Sequence, residues 1–128
     1  MNKFVFTGEE KQVCGITVKR IRAERTFGDV QAGELGGWLE SASNLEENGS
    51  AWVADEAVIM AFAVVQDDAR VSGSARVSGW SRVRGNAVVA DRAILQGAAN
   101  VMGGIIGGDT VMQGSVLMST PEFMDSMQ

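Results

Sequence analysis

The sequence predicts an all-β chain: a narrow prism of stacked short strands, with an irregular cap before it and a helical tail after it. Three observations lead there. From Ala51 to Met118 an aliphatic residue recurs every six positions, at Val53, Ile59, Val65, Val71, Val77, Val83, Val89, Leu95 and Val101. One deletion then shifts the series to Ile106, Met112 and Met118. A small residue stands two positions before almost every one of these, from Ala51 through Ser81 and Ala99 to Gly104. A turn former stands two positions after, as Asp55, Asp67, Gly73, Gly79, Gly85, Asp91, Gly97, Gly103 and Gly108, with Ala61 the exception. A helical stripe would repeat at three and four, so this period is not helical. Residues two apart share one face of a strand, and Gly or Asp frees the backbone for a corner. Strand and corner at fixed length close into coils, and stacked coils bury a core that no single unit could make.

Ahead of the repeats, Lys3 to Thr7 reads as a strand, Gly8 to Lys11 as its turn, and Val13 to Ala23 as a second strand of a hairpin. Lys19, Arg20, Arg22 and Arg25 cluster there; a solvated strand face is the plain reading and an anion or nucleic-acid site the sharp one. Cys14 has no histidine to activate it and reads as a buried or inert thiol. Thr26 to Asn48 is irregular and glycine-rich, and the spacing of Leu39, Leu45 and Val53 marks a distorted first coil. Gly36-Gly37 lacks the Lys-Ser/Thr and helix of a phosphate loop and reads as a turn. At the other end, Thr120-Pro121-Glu122 starts a short helix. Its Phe123, Met124 and Met127 are expected to cover the open end beside Met112 and Met118, a partner-binding tail being the alternative. The chain is thus expected to form one structural domain: a cap over 1–48, repeats over 49–118 and a tail over 119–128.

The repeat pattern resembles that of the hexapeptide proteins, in which an aliphatic residue is followed four residues later by Ala, Ser or Thr. The resemblance implies a left-handed parallel β-helix with three units per triangular coil, so Ala51 to Met118 holds almost four coils. The lead-in KRIRAERTFGDVQAGELGGWLESASNL, running into GSAWVADEAVI, is similar to the phage- and prophage-encoded hexapeptide proteins grouped as YdcK-like. That likeness implies phage origin and fold rather than a reaction.

With stacking partners 18 residues apart, the outward residues fall on three faces. Face one takes Trp52, Arg70, Val88 and Ile105; face two takes Val58, Arg76, Ile94 and Val111; face three takes Val64, Arg82, Asn100 and Leu117. Most are apolar, too many for strands facing water. Trp52, Val58, Val88, Ile94, Ile105 and Val111 are therefore expected to form an oligomer interface, and the family resemblance implies a trimer. Face three is expected to be the wetter one. One corner stacks Phe62 over Trp80 over Ala98, while Asp55-Glu56 and Asp67-Asp68 occupy the other two. Large exposed aromatics are enriched in binding hot spots. Phe62 and Trp80, with Met60 and the ring of Arg70, Arg76 and Arg82, are the expected partner-binding residues.

Composition narrows the function by subtraction. The net charge is −5, which argues against general nucleic-acid affinity. The single cysteine suits a reducing cytoplasm, here that of a host cell. No apolar run reaches the length of a membrane span, and no signal peptide precedes the first charged residues. The chain has no histidine. Hexapeptide acyltransferases, by resemblance, use a histidine base, and the carbonic anhydrases of that fold hold zinc through three histidines. No catalytic, cofactor or metal residue is therefore assigned. The expected function is a non-enzymatic, phage-type binding protein, a trimeric scaffold that modulates or inhibits a host protein, anti-phage defence proteins included. The alternatives are a virion or tail accessory component and an acyltransferase-like enzyme lacking the usual histidine.

Overall fold

The computed structural model describes residues 2–113 and the backbone of Leu117–Met118. The helix expected over 119–128, and its packing against the Met118 side chain, lie outside the described residues. The repeats form a parallel β-solenoid in which every unit contributes a two-residue strand. Face one stacks Trp52–Val53, Arg70–Val71, Val88–Val89 and Ile105–Ile106; face three stacks Val64–Val65, Arg82–Val83, Asn100–Val101 and Leu117–Met118. Face two stacks Val58–Ile59, Arg76–Val77, Ile94–Leu95 and Val111–Met112. Each coil bonds the next along the axis, as in Arg76 N–H to the Ala93 carbonyl at 3.0 Å. The aliphatic and small positions from Ala51 to Val101 are sealed inside at 0% exposure, Ser81 included. Each aliphatic contributes about 1.5 to 3 kcal/mol by burial.

The corners explain the choice between Asp and Gly. Asp55, Asp67 and Asp91 take positive φ of 57°, 60° and 59°, a conformation whose cost Asp bears better than most residues. Each carboxylate accepts the backbone N–H of the turn glycine in the following coil: Asp55 from Gly73 at 3.0 Å, Asp67 from Gly85 at 3.0 Å, Asp91 from Gly108 at 2.8 Å. At two of these glycines there is no room for a side chain: a Cβ on Gly73 would stand 2.9 Å from the backbone of Asp91, and one on Gly85 would meet the Met102 carbonyl. In the shortened unit the left-handed residue is Gly104, φ 80°, and not Gly103 as the spacing suggested. Gly103, just before it, is buried, and the Gly104 carbonyl accepts the Val88 N–H at 2.9 Å, as the Ala87 carbonyl accepts the Arg70 N–H in a full-length unit.

Three further strands extend face two beyond the first regular coil. β1 (Phe4–Val13) and β2 (Ile16–Ala23) form an antiparallel hairpin, and β3 (Leu35–Leu39) joins β2 antiparallel and the strand Val58–Ile59 parallel. The distorted first coil is present: Leu39 stacks on Ile59 and Leu45 on Val65. Two local readings are corrected. The hairpin turn lies at Cys14-Gly15, whose φ of 50° and 80° match the twist of the flanking strands. Gly8 to Lys11 instead lies within β1, where the register shifts between Phe6 and Glu10. That shift turns the two ends of the hairpin to different sides. Its base (Phe4, Ile21, Ala23) joins the prism core, and its tip (Val13, Val18) packs on the outside of face two. Gly36-Gly37 is not a turn but part of β3, pressed so close that a Cβ on Gly36 would meet Ile21, Trp52 and the Val53 carbonyl at 2.7 Å.

Candidate functional site

The corner between faces two and three carries a stacked aromatic pair. Phe62 N–H donates to the Gly79 carbonyl at 2.9 Å and Trp80 N–H to the Gly97 carbonyl at 2.6 Å, so successive coils place the side chains one above the other. Their ring centroids are 4.3 Å apart with 14° between planes, close to the ~4.8 Å spacing of neighbouring strands. Phe62 is 65% and Trp80 67% exposed.

Polar bonds from the distorted first coil fix the backbone here. Glu40 Oε1 accepts the Ala61 N–H at 2.6 Å. A 3-10 turn at Ala42–Asn44, capped by Ser41, buries Asn44, whose Nδ2 donates to the Ala61 and Ala63 carbonyls at 3.1 and 2.8 Å. Sequence reasoning missed Glu40 and Asn44. The signal available was the Ser-x-x-Asn spacing of a cap just before the first repeat.

The remaining site residues separate into groups that do not converge. Met60 is 6% exposed and packs with Val13, Val18, Trp38 and Val58 under the hairpin tip, so its expected place at the open corner is corrected. Arg70, Arg76 and Arg82 ring one coil, one on each face as expected, and so point away from one another. Arg70 is ion-paired with Asp29, whose carboxyl is held below its usual range by that hydrogen bond and charge. Arg76 and Arg82 are exposed; Arg76 reaches Cys14 Sγ at 3.8 Å, and Cys14 itself is exposed, not buried.

Two of the six expected interface residues are covered by the chain's own cap. Trp52 is 0% exposed, edge-on to Phe27 at 5.4 Å, and Val58 is 3% exposed beneath the hairpin tip. Neither is available to a neighbouring subunit. Val88 and Ile94 are half-buried, while Ile105 and Val111 are 66% and 53% exposed.

The basic cluster of the hairpin is largely spent on packing. Arg20 pairs with Glu56 at 3.3 Å, donates to the Gly36 carbonyl and lies over the Trp38 ring; Lys19 lies over Phe6 and Arg25 over Phe27. Glu56 also receives the Trp38 indole N–H at 3.2 Å and faces Lys11 at 3.4 Å. Desolvation alone would raise its carboxyl, but the indole, Arg20 and Lys11 outweigh that and hold it below the usual range.

Among the described residues no group of three or more His, Cys, Asp or Glu is placed to hold a metal ion, and no helix is long and apolar enough to cross a membrane. No family model matches the chain, and no curated protein matches it.

Proposed function

We propose that this chain is a non-catalytic binding protein whose partner protein docks on the Phe62–Trp80 corner. The observation that carries the reading is the stacked pair itself, two large rings about two-thirds exposed on a backbone tied down by Glu40 and Asn44. Anchors of this kind lose little side-chain entropy on binding and supply much of an interface's energy. The prism core makes no use of them, since its inward positions are already filled by the aliphatic and small series.

The finer parts of the reading rest on the resemblance. Likeness to the left-handed hexapeptide proteins supports a trimer, and the outward apolar residues Val88, Ile94, Ile105 and Val111, the first two half-buried and the last two exposed, are the surface offered to it. Likeness of the lead-in to phage-encoded proteins supports a host protein as partner, bound in the host cytoplasm and thereby modulated or inhibited.

The test is capture of the partner from host lysate on tagged protein, compared with the double variant Phe62→Ala, Trp80→Ala. The expected result is loss of one captured protein while melting temperature and oligomeric state stay unchanged. Equal capture by the double variant would sink the reading. Finding the chain in purified virions would favour the accessory-component alternative instead.

A further inference from the structure

Resting on that binding reading, we propose that the corner recognises an acidic peptide segment that carries an aromatic side chain. Two features of the corner choose this chemistry.

The first is an unfilled rung. Phe62 and Trp80 occupy successive levels of one column, and the next level belongs to Ala98, exposed beside the exposed Gly97. A methyl group cannot cover the far face of an indole. A planar side chain brought by a partner would lie on that face and continue the column at the spacing the first two rings already show. Offset stacking of this kind is favourable beyond the area it buries.

The second is the distribution of charge. The chain is acidic overall, yet its repeat carboxylates gather at the other two corners, as Asp55, Glu56 and Asp91 at one and Asp67 and Asp68 at the other. The aromatic corner reads Ala61-Phe62, Gly79-Trp80, Gly97-Ala98, with no carboxylate of its own. Arg76 flanks it on face two and Arg82 on face three, both exposed. Neither forms an ion pair among the described residues, whereas the third arginine of the coil, Arg70, is neutralised by Asp29. Glu40, in the coil above, is half-buried and spent on the Ala61 N–H. The corner is thus an apolar step flanked by two guanidinium groups outside any ion pair among the described residues, Arg76 reaching Cys14 Sγ at 3.8 Å; such groups bind carboxylates bidentately. Two cations serve a short acidic segment. A nucleic-acid strand would need a longer track of phosphate contacts and would run on toward the acidic corners.

The test uses fluorescence anisotropy with the full chain. The probe is a fluorescein-labelled peptide with one phenylalanine between flanking glutamates. It should bind about tenfold more tightly than the same peptide with lysines for glutamates, or with alanine for phenylalanine, and should weaken as salt rises. Arg76→Glu with Arg82→Glu should cost about tenfold and invert the preference toward the lysine peptide. Circular dichroism melting of the variant separates lost recognition from lost fold, and Arg76→Lys with Arg82→Lys, which keeps the charge, should retain the acidic preference. Equal affinity for acidic and basic peptides overturns the proposal. So does tighter binding of a labelled oligothymidylate, which would assign the corner to a single strand. The two readings fail separately. If charge reversal leaves capture of the lysate partner intact while Phe62→Ala, Trp80→Ala abolishes it, the corner binds but the acidic chemistry is wrong. If the aromatic variant still captures the partner, the binding reading itself is wrong.

Discussion

Lys3 is sealed at 0% exposure at the junction of hairpin and first coil, its Nζ donating to the Glu46 carbonyl at 2.9 Å and lying 4.9 Å from the centre of the Phe27 ring. Its backbone N–H donates to Glu47 Oε2 at 2.7 Å, so one residue ties the start of β1 to the distorted coil from both ends. Burial, aided by Arg25, pushes the amine down to about 8, against the opposing pull of Glu47 and Glu46. The sign of the linkage follows. Below pH 8 the amine is charged in folded and unfolded chains alike, and the full cost of burying the charge is present. Between about 8 and the unfolded value of 10.5 the unfolded chain binds more protons, so stability rises with pH. The wild-type chain should therefore gain on the order of 1 to 3 kcal/mol from Lys3 across that window. Urea unfolding at a series of pH values should show this rise, and Lys3→Met should flatten it. An equal rise in both proteins would mean that the amine is as solvated in the folded chain as in the unfolded one.

At the scale of the repeat, the corner residue decides how well a coil closes. Ala61 sits at φ 58° with no side chain to bond the coil below it, unlike the three Asp corners, and a non-glycine residue there costs about 1 to 2 kcal/mol. Ala61→Gly should raise stability by roughly 0.5 to 1 kcal/mol, the relief being partly offset by the freer unfolded chain. Asp67→Gly should gain nothing, because it also loses the bond to Gly85 N–H. Denaturant midpoints of the two variants check this, and a destabilised Ala61→Gly would mean that the corner is not left-handed. The same element shows what was legible in the sequence. Fixed spacing puts residues 18 apart on one another, so the three faces, the buried series and the Phe62–Trp80 stack all follow from counting. The cap has no period to count. Which face the hairpin covers depends on a register shift inside β1, so counting alone leaves Met60 and Val58 open. Counting leaves Trp52 open for a related reason: the contact that hides it comes from Phe27, in an irregular segment with no spacing signal. Gly36-Gly37 gave a signal that pointed the wrong way, since close approach of two backbones and a turn both select glycine.

The whole molecule then divides along its axis. Near the cap, faces one and two are closed by the chain itself, through Phe27 over Trp52 and the hairpin tip over Val58. Toward the other end the same faces carry Val88, Ile94, Ile105 and Val111, with Ile105 and Val111 more than half exposed. A trimer built through these faces would therefore be held by the later coils, and the cap would stand clear of the contact. This separates two kinds of variant that an interface spread over all six residues would not. Val58→Glu places a charge inside a dry cluster of Val13, Val18, Trp38 and Met60, and an uncompensated buried charge is costly enough to undo the packing around it. It should lose the hairpin or fail to fold. Ile105→Glu with Val111→Glu puts charges where each protomer is already wet, so the chain should stay folded and lose only its neighbours. Multi-angle light scattering with circular dichroism on the same samples gives both readouts. The expected outcome is a trimer for the unmodified chain, a folded monomer for Ile105→Glu with Val111→Glu, and a melted or unfolded cap for Val58→Glu. A monomeric wild-type chain at micromolar concentration would rule the assembly out. A trimer that survives both glutamates would move the contact to face three, where Arg82 and Asn100 would then have to be desolvated between protomers.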